Sequence, residues 1–405
     1  MDRSEQTTTA RKALAVIAVS QLFAMSLWFS ATAVTPQLQS EWLLSEGEIA
    51  WLTLSVQIGF VVGAFSSAVL NIADIIPSRR LFGISAVIGL TANLGLLAVT
   101  DQTVGIAMLL RFVTGVALAG LYPSGLKVAA GWYERGRGMA LGVLVGALTI
   151  GSASPNLIRG LGLEWRGVIV TASLLAGLSA VIMVRWVSDG PFESTAEPFS
   201  FKQVGRVLRN EGFRWSTLGY LGHMWELYAM WTWTAAFLIA SSETARMSYG
   251  SIPTVTFLVI ASGGAGAWLA GMWADRIGRS IVAGTSLAIS GSVALLSPWL
   301  FGRTPWIVIP AFLVWGFAVV ADSAQFSAMV AETAEPPVRG TSLALQTATG
   351  FLLTLVTIRG VPLLAAAWGW RWSFILLAVG PAVGIVAMAR IRTSPARALI
   401  AGGRG

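Results

Sequence analysis

The sequence predicts an all-α integral membrane protein with twelve transmembrane helices in two pseudo-symmetric six-helix halves. Three observations carry that expectation: a composition too apolar for water, apolar runs of bilayer length, and a set of landmarks that recurs about two hundred residues along the chain. Of 405 residues, 55% are hydrophobic and 11% charged, against roughly 25% charged in soluble domains. A soluble fold could not cover that much apolar surface. The runs repeatedly reach the ~20 residues that a helix needs to cross hydrocarbon.

Taken in order, the first six spans fall near residues 13–36, 48–70, 81–99, 104–126, 139–158 and 167–187. The second six fall near 215–240, 253–272, 281–300, 306–328, 341–363 and 372–390. Most connections are tight turns of Gly, Pro, Asp or Arg. The segment 188–213 is longer and polar, with Pro191, Pro198, Lys202, Arg206 and Arg209. It reads as a cytoplasmic linker between an N-terminal half, 1–187, and a C-terminal half, 214–405. The first ten residues are polar and no small-residue cleavage pattern follows the first apolar run, so that run is expected to be a retained span.

Charge sets the orientation. With the N-terminus inside, twenty Lys and Arg lie on inner loops and tails. Five lie outside (Arg159, Arg166, Arg246, Arg303 and Arg371), and Arg111 and Arg359 lie within spans. The positive-inside rule then places both termini in the cytoplasm. The expected location is a bacterial inner membrane, with a lipid bilayer around a chain that works as a monomer. The net charge of +8 is spread over short loops rather than along one stripe, so no nucleic-acid partner is expected.

The landmarks share an offset of 200 to 205 residues. NIADIIPSRR (71–80) matches GMWADRIGRS (271–280), setting Asp74 over Asp275 and Arg79 over Arg279. RGMAL (137–141) matches RGTSL (339–343), IRG (158–160) matches IRG (358–360), and the WR at 165–166 matches the WR at 370–371. A six-span unit repeated in one orientation is expected to give two halves related by an axis along the membrane normal, with the solute path between them.

GMWADRIGRS resembles the loop signature of the major facilitator superfamily between spans eight and nine, and RFVTG (111–115) is similar to that family's second motif in span four. The first copy of the loop is degraded, with Asn71, Ile75 and Pro77 where the signature has Gly, Arg and Gly. The resemblance implies a secondary transporter of a small solute. It also implies that Asp74, Arg79, Arg80, Asp275, Arg276 and Arg279 gate one conformation; the competing reading is that they only set topology. Span five carries Gly138, Gly142, Gly146, Gly151 and Pro155 but lacks the glycine-proline pair frequent in family antiporters, and it lacks the glycine-asparagine motif of nitrate porters.

Ionisable residues at membrane depth are costly and mark functional positions by default. His223 and Glu226 stand three apart in span seven and so share a helix face. Glu226 sits among Trp225, Tyr228, Trp231 and Trp233, and apolar walls disfavour the charged form of a carboxyl group. That suits a proton-coupling carboxylate modulated by His223; the alternative is a structural hydrogen bond to another helix. Asp322 in span ten reads as a second carboxylate, a solute ligand, or a structural partner for a basic residue at the inner rim. Spans one, four, seven and ten line the cavity in the family.

Arg111 is open between structural burial, tuning of a proton site and attraction of an anionic solute; span one supplies no acid to pair with it. Arg159 and Arg359, at equivalent span ends, could grip a carboxylate or planar oxyanion or snorkel to the interface. Trp28 and Gln57 are further cavity residues to test. With one His, no Cys, no HExxH and no GxxxxGK[ST], neither an enzyme, a metal, a cofactor nor ATP-driven transport is expected. The expected function is therefore alternating-access transport coupled to protons. Carriage or exchange of a small anion by Arg111, Arg159 and Arg359, or a transporter-like membrane sensor, are the competing readings.

Overall fold

The computed structural model describes residues 3–133, 137–192 and 199–405, of which 3–7, 46, 73, 74, 137 and 138 are described by backbone only. It is all-helical, with no strand among the described residues. Twelve spans form two compact units, Met1–Pro198 and Phe199–Gly405. Ten helices among the described residues are long and apolar enough on their own to cross a membrane. The first and seventh fall outside that set for opposite reasons. Span one is interrupted: its long helix, Arg3–Met25, stops at a turn and resumes as Ser30–Ala33 and Thr35–Glu41. Span seven, Glu211–Ala245, is continuous, but its apolar run is diluted by His223, Glu226 and a series of Trp, Tyr and Thr.

In the N-terminal half, spans two to six are Glu46–Val69, Ser78–Gly95, Val104–Ala130, Arg137–Gly160 and Trp165–Trp186. In the C-terminal half, spans eight to twelve are Ile252–Ile277, Arg279–Leu300, Pro305–Ala321 continued by Ser323–Thr333, Arg339–Trp368, and Trp370–Ser373 continued to Val379–Thr393. Each half repeats one packing plan. Span two packs on four as eight packs on ten; one packs on six as seven on twelve; three packs on six as nine on twelve. The expected single continuous spans one and ten are therefore broken, span one into three helices and span ten into two, and the joints fall where polar side chains gather.

Small residues permit the closest of these contacts. A Cβ built on Gly59 would lie 2.0 Å from the carbonyl oxygen of Phe112, and one on Gly115 would lie 2.1 Å from that of Val56. Spans two and four thus key into each other at two heights. Spans eight and ten do the same: a Cβ on Gly266 would lie 2.1 Å from Phe317 O, and one on Gly316 only 1.8 Å from Val259 O. Without a hydrophobic drive between helices in lipid, such backbone approach is what holds spans together.

After the span-one joint, the short helix Thr35–Glu41 is pinned to the start of span six. Glu41 Oε2 accepts from the Trp165 indole at 2.5 Å and Oε1 from Arg166 Nη2 at 2.6 Å. The Trp165 hydrogen bond first, and Arg166 second, hold the Glu41 carboxyl below its ordinary range.

Gly115→Ala is expected to lower the thermal midpoint in detergent by the equivalent of about 2 kcal/mol, the cost of overpacking. Gly105→Ala, in the same helix with open space around it, should leave the midpoint unchanged or raise it. For Glu41 the folded-state value is depressed, so its contribution is present above the ordinary value and fades as pH falls through the depressed one. The wild type and Glu41→Gln should therefore converge in thermal midpoint on acidification, from a difference under about 1 kcal/mol at neutral pH because the pair is solvent-exposed.

Candidate functional site

Three helices of the C-terminal half bring together the ionisable groups predicted at membrane depth. Span seven presents His223 and Glu226 on one face, and both are buried, as is Asp322 of span ten. Glu226 is held by donors from two neighbouring spans: Ser290 Oγ of span nine lies 2.8 Å from Oε2, and Trp315 Nε1 of span ten lies 2.5 Å from Oε1. No basic side chain pairs with it among the described residues. Ser290 Oγ also lies 3.3 Å from the carbonyl oxygen of Leu287.

His223 turns the other way. Its Nδ1 lies 2.8 Å from Asp322 Oδ1, a contact that is short but not aligned as a hydrogen bond. Its Nε2 lies 3.2 Å from Ser323 Oγ. The imidazole stands between Tyr220 and Phe326, with ring centroids at 6.0 and 5.8 Å. Asp322 occupies the joint of span ten, between the helix ending at Ala321 and the one starting at Ser323, and its carboxyl makes no capping bond there. The joint leaves the acid free to face the histidine.

One turn further along span ten, Gln325 Oε1 accepts from Arg279 Nη1 at 3.2 Å. Arg279 also pairs with Glu332 at 2.9 Å and with Asp275 at 3.0 Å. The chain after span twelve returns to this cluster: the Ala401 N–H donates to Glu332 Oε2 at 3.0 Å, and Arg404 Nη1 donates to the Asp275 carbonyl at 2.9 Å. In the N-terminal half, Arg79 instead makes a two-pronged pair with Asp189 at the end of span six, both bonds 2.8 Å. Glu332 and Asp189 were not among the residues predicted from sequence. Arg80 and Arg276 are exposed and make no ion pair among the described residues. The side chain of Asp74 lies outside the described residues.

Arg111 is fully buried in span four and faces the joint of span one. Its Nη1 donates to Leu27 O at 3.0 Å, with Ser30 Oγ at 3.2 Å and Asn93 Oδ1 at 3.3 Å, and its Nη2 donates to Trp28 O. Asn93 in turn donates to Ser173 Oγ at 2.9 Å, so one guanidinium ties spans one, three, four and six. Arg159 Nη1 donates to Ala33 O at 2.6 Å, at the end of the short helix Ser30–Ala33. Arg359 is half-buried on span eleven. Trp28 is buried against Phe60, ring centroids 5.0 Å apart, and Gln57 is buried with neither amide atom hydrogen-bonded.

Among the described residues no group of three or more His, Asp or Glu side chains could hold a metal ion. The sequence model of the Major Facilitator Superfamily matches residues 17–321 and 241–405 of the chain. No curated protein matches it.

The span-one joint depends on Arg111 for its freed carbonyls. Arg111→Gln should cost about 3 kcal/mol, since it strips a charged donor from buried acceptors. The readouts are a lowered thermal midpoint and new proteolytic sensitivity at residues 26–29; Arg111→Lys, a single point donor, should fall between the two.

Proposed function

The chain belongs to the Major Facilitator Superfamily, and on that premise we propose that this multi-pass membrane transporter is driven by protons, with Glu226 as the proton carrier. The observation that carries the reading is a fully buried carboxyl group whose two oxygens meet only neutral donors, Ser290 and Trp315. An ionised carboxylate there is a charge without a counter-ion, which is expensive in a dry interior. Taking up a proton removes it.

The two oxygens are not equivalent. An indole can only donate, so Oε1 stays an acceptor, whereas a hydroxyl both donates and accepts. The proton therefore belongs on Oε2. The Ser290 hydroxyl then accepts from Glu226 and turns its own hydrogen to Leu287 O, 3.3 Å away. Both protonation states are hydrogen-bonded after one hydroxyl rotation. His223, one turn along span seven, and Asp322 supply a second titratable pair in the same half. Bistability of this kind is what coupling to a gradient needs.

The remaining gate residues fit alternating access in outline. Arg279 binds span ten at Gln325, one turn from Asp322, and also Glu332 and Asp275, so span ten's second helix touches both the titratable pair and the loop signature. The anion-exchange reading needs a guanidinium left over for solute. Arg111 is committed to Leu27, Trp28, Ser30 and Asn93, and Arg159 to Ala33; of the three arginines only Arg359 makes no hydrogen bond among the described residues, and the loss of the other two favours protons. The transported solute is a small molecule whose identity a thermal-shift screen at two pH values would narrow, because a proton-linked ligand stabilises differently at each.

With a solute so found, proteoliposomes carrying Glu226→Gln should keep solute counterflow and lose accumulation driven by a proton gradient, down to the level of empty liposomes. The infrared band of a protonated carboxyl should disappear with the same substitution. Gradient-driven accumulation that survives Glu226→Gln would sink the proposal.

A further inference from the structure

A groove of about 860 Å³ runs along the outside of the C-terminal half between spans nine and twelve. Its floor is a line of small residues on span nine, Gly284, Ala288 and Ser292, and its far wall is Ile385 and Met388 of span twelve. Ala288 and Ile385 are exposed, so the groove is open to whatever surrounds the helices, and in a membrane that is lipid.

One end of the groove is polar. Ser280 and Arg392 line it there. Ser280 is 1% exposed and its hydroxyl has no hydrogen-bond partner. It is the second residue of the helix Arg279–Leu300, whose N-cap is Gly278 with no side chain to satisfy the first N–H groups. Arg392 is exposed and makes no ion pair among the described residues. A helix N-terminus, an unanswered buried hydroxyl and an uncommitted guanidinium converge on one place, and each favours negative charge with several acceptor oxygens. The predicted orientation puts this end on the cytoplasmic side, where basic pockets between helices meet anionic headgroups.

We propose that the groove is a binding site for an anionic glycerophospholipid. The phosphate sits on Ser280 Oγ, the first N–H groups of span nine and the Arg392 guanidinium, and one acyl chain lies along Gly284, Ala288 and Ser292. The apolar length of the groove is what separates this occupant from free phosphate. The proposal stands apart from the proton reading, since none of its residues is a hydrogen-bond or ion-pair partner of Glu226, His223 or Asp322.

The test is native mass spectrometry of the full chain in detergent, titrated with phosphatidylglycerol, with phosphatidylcholine, and with inorganic phosphate as separate arms. One phosphatidylglycerol should be retained in preference to phosphatidylcholine, and inorganic phosphate should not displace it. Arg392→Gln should weaken retention about fivefold, the effect of one basic residue near the membrane surface, and Arg390→Gln, exposed on the same helix but outside the groove, should not. Ser292→Leu, which obstructs the acyl path and leaves the charges in place, should also weaken it. Thermal midpoints in phosphatidylcholine, matched to the wild type, certify the folding of each variant. Unchanged retention in a folded Arg392→Gln, equal loss in Arg390→Gln, equal binding of phosphatidylcholine, or displacement by inorganic phosphate would each overturn the proposal.

Discussion

Hydrocarbon offers no hydrogen-bond partner, so every peptide group at membrane depth must be answered from within the protein. An unbroken helix meets that demand through its own ladder of hydrogen bonds, but the joints inside spans one and ten cannot. At the joint of span one the carbonyls of Leu27 and Trp28 leave the helical ladder, and the buried guanidinium of Arg111 takes both. A charge that would be prohibitive as an isolated group becomes affordable because it sits against the negative end of the helix Arg3–Met25 and four oxygens. At the joint of span ten the same interruption has a different outcome: the residue between the helices is Asp322, and its carboxyl faces an imidazole rather than the backbone.

The halves have therefore diverged in chemistry while keeping one packing plan. The N-terminal half encloses a fixed positive charge whose two Nη groups donate to neutral oxygens. The C-terminal half encloses two carboxyls and a histidine, with no Arg or Lys beside Glu226. The ion pairs at the span ends diverged as well. Arg279 finds Glu332 at the end of span ten, whereas Arg79 reaches to Asp189 beyond the end of span six. A degraded first copy of the loop signature is consistent with that rerouting.

Much of this was legible in the sequence. Span number and order followed from apolar run length, and the repeat followed from paired landmarks such as Asp275 and Arg279 over Asp74 and Arg79. Glu226 and His223 were legible because a charge in an apolar run is conspicuous. Pairings between distant segments were not. Nothing in the local pattern of span one marks a break at residues 26–29, since its residues are as helix-compatible as their neighbours; the break shows only against Arg111, eighty residues on. Glu332 and Asp189 looked like ordinary solvated acids at span ends, and only the fold shows which arginine each one meets. The contact of His223 with Asp322 spans a hundred residues of chain and has no sequence periodicity to announce it.

The keyed glycines carry a mechanical meaning. Gly59 and Gly115 each admit the other helix's carbonyl, at two heights, and Gly266 and Gly316 do so again in the second half. Two helices pinned at two points cannot slide or roll against each other without driving backbone into backbone. Each such pair behaves as a stiff plank, so flexing within a half must be taken up elsewhere, at the joints of spans one and ten, where the helices are already broken. The glycines thus decide which parts of each half are beams and which are hinges.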